Sequence, residues 1–165
     1  MYHIKKNQTK IQEFLYSIIF PWHNEGVINL ELHEAQLFRI LASLFGKERV
    51  VYNMSLNTVC EEDKGELGRR ETWWIQYKCL FAVTDIHYNP RLVIDFAPGF
   101  NGVIDAEQAY RRDSAKSALN THGVHYIGIT REEFNRILDP ESHFGLLQLL
   151  ELKVEKGDIS LDNIF

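Results

Sequence analysis

The period of the apolar positions changes several times along this chain, and each change marks an element. From Gln8 to Phe20, Ile11, Phe14, Leu15, Ile18 and Ile19 recur at helical spacing, which predicts an amphipathic helix ended by Pro21. After a connector, Trp22 to Gly26, a second helix is expected from His33 to Phe45, with Leu37, Phe38, Leu41, Leu44 and Phe45 as its stripe and Gly46 as its stop. Arg49 to Leu56 reads as a strand, Glu61 to Glu71 as a solvated mixed-charge loop, and Thr72 to Lys78 as renewed alternation with Trp73, Ile75 and Tyr77 on one side. Cys79 to Phe96, CLFAVTDIHYNPRLVIDF, consists of two apolar strands folded about His-Tyr-Asn-Pro, hence a hairpin. Pro98 to Gly102 forms a loop, and a helix from Asp105 to Thr121 and a strand from Val124 to Ile129 follow. Thr130 with Glu133 makes a capping box for a short helix to Leu138, which Asp139-Pro140 stops. A last helix is expected from His143 to Val154, with Leu146, Leu147, Leu150 and Val154 on one face, before a tail from Gly157.

Strands interleaved with helices predict an α/β fold, a central mixed β-sheet flanked by helices. At 165 residues the chain is expected to form a single domain: an N-terminal helix and connector over 1–26, a core over 27–138, and a C-terminal helix and tail over 139–165. A 45% hydrophobic content fits a globular body, and a net charge of -5 opposes non-specific coating of nucleic acid while allowing a small basic site. Cys60 and Cys79 form no C-x-x-C pair, so neither a disulfide framework nor a zinc ribbon is indicated, and a cytoplasmic location is the simplest expectation. Nothing approaches the ~20 apolar residues of a membrane span. The N-terminal helix must dock on something, a homodimer partner or another protein being among the options.

The chemistry lies in the polar exceptions to these patterns. Phe81, Val83 and Asp85 share one strand face, and Val93 and Asp95 share one face of the returning strand. With the turn centred on Pro90, Asp85 and Asp95 stand opposite each other. Like charges so placed destabilise a ladder, so a metal ion, a basic side chain or a shared proton must compensate. A register one residue different would instead send one aspartate to solvent and leave the other at a strand end. Glu34 falls on the apolar stripe of its helix, pointing inward, or else complements the positive end of the helix dipole. In Arg111-Arg112-Asp113-Ser114-Ala115-Lys116, Arg112 and Lys116 share a helix face with Asp113 within reach of Lys116, which taken alone reads as an ordinary exposed salt-bridged helix. His122 and His125 flank a glycine at a helix end, where one reads equally as a cap or a ligand, and His87, two residues beyond Asp85, reads as an exposed turn residue with an approach to a metal as the alternative. The adjacent Trp73 and Trp74 suit sheet-face packing, with base stacking as the alternative.

The order of these features (Glu34, Val83-Thr84-Asp85, Val93-Ile94-Asp95-Phe96, Arg112-Asp113-Ser114-Ala115-Lys116, then Gly123 to Ile129) resembles the PD-(D/E)XK nuclease-like superfamily. More narrowly it is similar to the small bacterial branch related to very-short-patch-repair endonucleases, over about Leu32 to Phe134. The resemblance implies a restriction-endonuclease-like sheet. It also implies a metal-dependent nuclease that hydrolyses phosphodiester bonds, with nucleic acid, DNA in the first instance, as partner. Asp85, Asp95 and Glu34 would hold Mg²⁺ or Mn²⁺, an ion that polarises the phosphate and activates water. Lys116 would stabilise charge on the phosphate, and Arg111 or Arg112 would contact a neighbouring one. Two departures stand beside this. The lysine expected two positions after the second acid is Ala97, and the histidine expected after that strand has no counterpart between Pro98 and Ile104. They favour the alternative, a catalytically inactive nuclease-fold binding or adaptor protein.

Overall fold

The computed structural model describes residues 31–60 and 77–159. The expected helix over 8–20, the charged loop over 61–71, all but the end of the 72–78 alternation and the last residues of the tail lie outside the described residues. Within them the order is α1 (Leu32–Phe45), β1 (Val50–Ser55), α2 (Leu56–Val59), β2 (Lys78–Thr84), β3 (Pro90–Phe96), α3 (Ala106–Thr121), β4 (His125–Ile129), α4 (Arg131–Leu138) and α5 (Leu146–Glu155).

The four strands form one mixed sheet in the order β1-β2-β3-β4, antiparallel except for the parallel pair β3 and β4 that α3 connects. The central strands β2 and β3 are buried along almost their whole length, because helices cover both faces. On one face Leu37 and Leu41 of α1, Phe134 of α4 and Leu149 and Leu150 of α5 pack on Phe81, Val83, Leu92 and Ile94. On the other, Leu56 of α2 and Ala115 and Leu119 of α3 pack on Ala82, Val93 and Tyr126. This is an α/β fold with a mixed four-stranded sheet between helices, as the alternation of periods predicts.

Local chemistry sets the ends of the helices. Gly46 stops α1 at φ 90, a backbone conformation that residues with a Cβ rarely adopt, so glycine is favoured there. The Asp105 side chain accepts from the N–H groups of Glu107 and Gln108 at the start of α3, and Thr130 with Glu133 closes the expected capping box on α4. The last helix begins later than the spacing predicts. Pro140–Ser142 forms a 3₁₀ turn and His143 takes a left-handed φ of 49, so α5 opens only after Gly145. Its buried face holds Leu146, Leu149 and Leu150, while Leu147, expected on that face, is 39% exposed.

The hairpin also departs from expectation. A turn centred on Pro90 would pair Phe81 with Gly99, but Phe81 pairs with Ile94 and Thr84 with Pro90. The turn closes earlier because the Asp85 carboxylate builds it, accepting from the backbone N–H of His87 at 2.8 Å and of Asn89 at 3.0 Å, while Tyr88 sits at φ 64. Pro90 is the first residue of β3, a place where its missing N–H costs little. Asp85 and Asp95 therefore do not face each other. Continuing the register by one residue puts Leu80 opposite Asp95. Asp85 lies at the far end of the sheet, on the order of 16 Å away for the five residues of β3 that separate the two levels.

Candidate functional site

The carboxyl ends of β3 and β4, the start of β2, the first turns of α1 and α3 and the loop after β3 meet at one end of the sheet. In open α/β sheets this is where ligands bind, because the loops diverge there and leave a crevice. Two adjoining cavities occupy it. The first, about 370 Å³, is lined by Asn53, Tyr77, Lys78, Leu80, Asp95, Gln108, Arg111 and Arg112. The second, about 260 Å³, has Glu31, His33, Glu34, Phe96, Ala97, Phe100 and loop residues as walls and shares Leu80, Asp95, Gln108 and Arg112 with the first.

Asp95 lies at the junction. It is 7% exposed and points to the α3 face with Val93. Its Oδ2 accepts from Tyr77 Oη at 3.0 Å and Tyr126 Oη at 3.3 Å, with Arg112 Nε at 3.8 Å, and its Oδ1 accepts from the Phe96 N–H at 2.9 Å. Burial raises its pKa above the ordinary carboxylate value, and Arg112, the two phenols and the Phe96 amide only partly offset this. The same burial, with the Asp95 charge added, pushes both tyrosines upward, so they stay protonated donors. Cys79, in the same layer, is pushed up to about 12 by burial and is an inert thiol.

Glu34 reaches the second cavity from the other side of the sheet. Its Oε2 accepts from the Glu31 N–H at 3.2 Å and from Tyr52 Oη at 3.1 Å, so it caps α1 and anchors that helix to β1 while bordering the cavity. His33 beside it lies against the edges of Phe100 and Phe134, and its Nε2 accepts from Arg131 at 2.7 Å, since a guanidinium can only donate. Burial and the Arg131 charge lower its pKa, which keeps it neutral. Arg131 in turn lies 4.6 Å over the Phe100 ring, which stacks on Phe96 at 3.9 Å.

The structure thus brings together Asp95, Glu34, Arg111 and Arg112 of the expected residues, and separates Asp85 and Lys116 from them. Asp85 is fully engaged at the turn. Its Oδ2 accepts from Arg91 Nε at 2.9 Å, and these bonds outweigh its desolvation and hold its carboxyl well below the usual range. Lys116 is half-buried one turn beyond Arg112 and lines neither cavity. Arg111 borders the first cavity but is paired with Glu107. Of the expected Mg²⁺ ligands Asp85 is remote from the other two, both Asp95 oxygens and Glu34 Oε2 accept hydrogen bonds, and among the described residues no three His, Cys, Asp or Glu side chains converge.

Sequence reasoning missed Lys78, Tyr126, Gln108 and Asn53. Asn53, at φ 54, interrupts β1 between the Tyr52–Phe81 and Met54–Cys79 pairs, a left-handed conformation that asparagine tolerates. A lone aspartate within Val-Ile-Asp-Phe did signal that buried donors must exist, though not which ones. No helix among the described residues is long and apolar enough to cross a membrane. Comparison with family models, curated proteins and solved structures returns no match to this chain.

Proposed function

We propose that this chain is a nuclease-like protein that binds the phosphate backbone of nucleic acid through the first cavity and does not cleave it. The observation that carries this reading is the charge of the cavity wall: among the described residues it holds one buried aspartate, no second acid, and three cations, Lys78, Arg111 and Arg112. Lys78 opens β2 at the same end of the sheet as Asp95, so an amine stands near the level where an acid would be needed to share a metal. Arg112 is held toward Asp95 while remaining about one-fifth exposed, at 22%, so it can still meet a phosphate. The order of the motif-bearing elements, α1, β2, β3, α3 and β4, also follows the order of the motifs on which the restriction-endonuclease-like resemblance rests. DNA is the first candidate ligand.

The test is fluorescence anisotropy with labelled single- and double-stranded oligonucleotides in EDTA, followed by incubation with Mg²⁺ or Mn²⁺ and electrophoresis. Binding in EDTA that is lost in Lys78→Glu with Arg112→Glu, with the oligonucleotide intact after incubation, supports the reading. No binding, or cleavage that Asp95→Asn abolishes, overturns it. Cleavage would favour the second reading, a Mg²⁺- or Mn²⁺-dependent nuclease, for which one observation speaks: Glu34 and Asp95 border the same cavity. That reading further requires divalent-ion stabilisation of the wild type that is absent in Asp95→Ala.

A further inference from the structure

We propose that the two cavities together seat one unstacked nucleotide, its phosphate against Lys78, Arg111 and Arg112 and its nucleoside in the adjoining cavity. This rests on the phosphate-binding reading and adds to it what the second cavity recognises. The cavities adjoin, sharing Leu80, Asp95, Gln108 and Arg112 as walls, so the two parts of one ligand can lie on either side of these residues. Taken together their volumes, about 370 and 260 Å³, fall within the roughly 300–1,000 Å³ of small-ligand sites.

Charge fixes the orientation. Glu31 and Glu34 on the second cavity repel a phosphate, so the anionic end belongs with the three cations. The same carboxylates accept hydrogen bonds, which ribose hydroxyls and exocyclic base amines supply. The Gln108 amide at the boundary both donates and accepts. Phe100 is buried with Phe96 stacked on its ring and Arg131 over it, so the apolar surface open to a base or sugar is that of the half-buried Phe96. Val103, on the same cavity and 77% exposed, adds an apolar rim.

A base stacked and paired inside a duplex cannot enter such a cavity, so the site selects strand ends or single strands. It thereby differs from a groove that tracks the backbone of intact duplex.

Calorimetric titration of the full chain in EDTA with orthophosphate and with 5′-nucleoside monophosphates tests the proposal. The monophosphates should bind at least about tenfold tighter than orthophosphate, the gain expected of one stacked base. Lys78→Glu should weaken both ligands. Val103→Ser, an exposed substitution at a residue that lines the second cavity only, should weaken the monophosphates toward the phosphate value and leave orthophosphate unchanged. In competition against a labelled single strand, unlabelled single strand should displace it and covalently closed duplex should not. Equal affinity for orthophosphate and monophosphates, or equal competition by closed duplex, overturns the two-cavity proposal while oligonucleotide binding keeps the phosphate reading. Loss of all oligonucleotide binding overturns both.

Discussion

Burial and hydrogen bonding act on Asp85 and Asp95 in opposite balance. At Asp85, desolvation is outweighed by bonds from Asn89, Arg91 and His87, so the folded carboxyl sits below its unfolded value. The unfolded chain then binds more protons, and the contribution of Asp85 is present above about pH 4 and lost as pH falls below it. At Asp95, desolvation exceeds the help from Arg112 and the two phenols, so the folded value is raised and the folded chain binds more protons. Its effect has the reverse sign: stability falls as pH rises above about 4. Urea unfolding from pH 3 to pH 8 should therefore separate two variants. Asp85→Asn should lose stability relative to wild type near neutral pH and converge with it in acid. Asp95→Asn should gain on wild type as pH rises from about 4 toward neutrality. A wild-type profile that Asp95→Asn leaves unchanged would mean that Asp95 is solvated and ionised like a surface carboxylate. Little of this was legible beforehand, because the sequence places an aspartate near the end of each strand without saying that one of them makes the turn. Once Asp85 binds the amides of His87 and Asn89, the hairpin closes early and the facing pair no longer exists.

At the scale of elements, what was readable and what was not divide by range. Periodicity and caps are local, so α1, α3, α4 and the three apolar strands β2, β3 and β4 fall within a few residues of expectation. Register and the junction of cavities depend on contacts distant in sequence, such as Tyr126 to Asp95 and Tyr52 to Glu34, which no short window contains. The caps yield a prediction that connects stability to the site. Asp105 holds the first turn of α3, which presents Gln108, Arg111 and Arg112. Thr130 holds α4, whose described residues line neither cavity. Asp105→Ala and Thr130→Ala should each cost about 1 kcal/mol in urea unfolding. Only the first should also weaken oligonucleotide binding in anisotropy, because fraying of α3 releases the arginines from their positions. Equal effects on binding would show that α3 does not position the ligand.

Across the whole molecule, a body of net charge -5 carries a small cationic recess, and these two features make different demands on association. The body repels a polyanion at long range, so approach is slowed at low ionic strength and helped when salt screens the repulsion. Contact in the recess releases counterions, so the bound complex weakens with salt. The second effect scales with the number of phosphates engaged, and with two or three cations on a single strand the slope of log K against log salt should lie between about -1.4 and about -2.1. Anisotropy titrations between about 50 and 200 mM salt, a range in which such slopes are resolved, measure it directly. Arg112→Gln should reduce the magnitude of the slope by about 0.7, whereas Lys116→Gln should leave it unchanged, since Lys116 lines neither cavity. A slope steeper than about -4 would require six or more phosphate contacts, which a recess of this size cannot supply. The nucleic acid would then lie across a broader face of the protein, with Lys116 among its contacts.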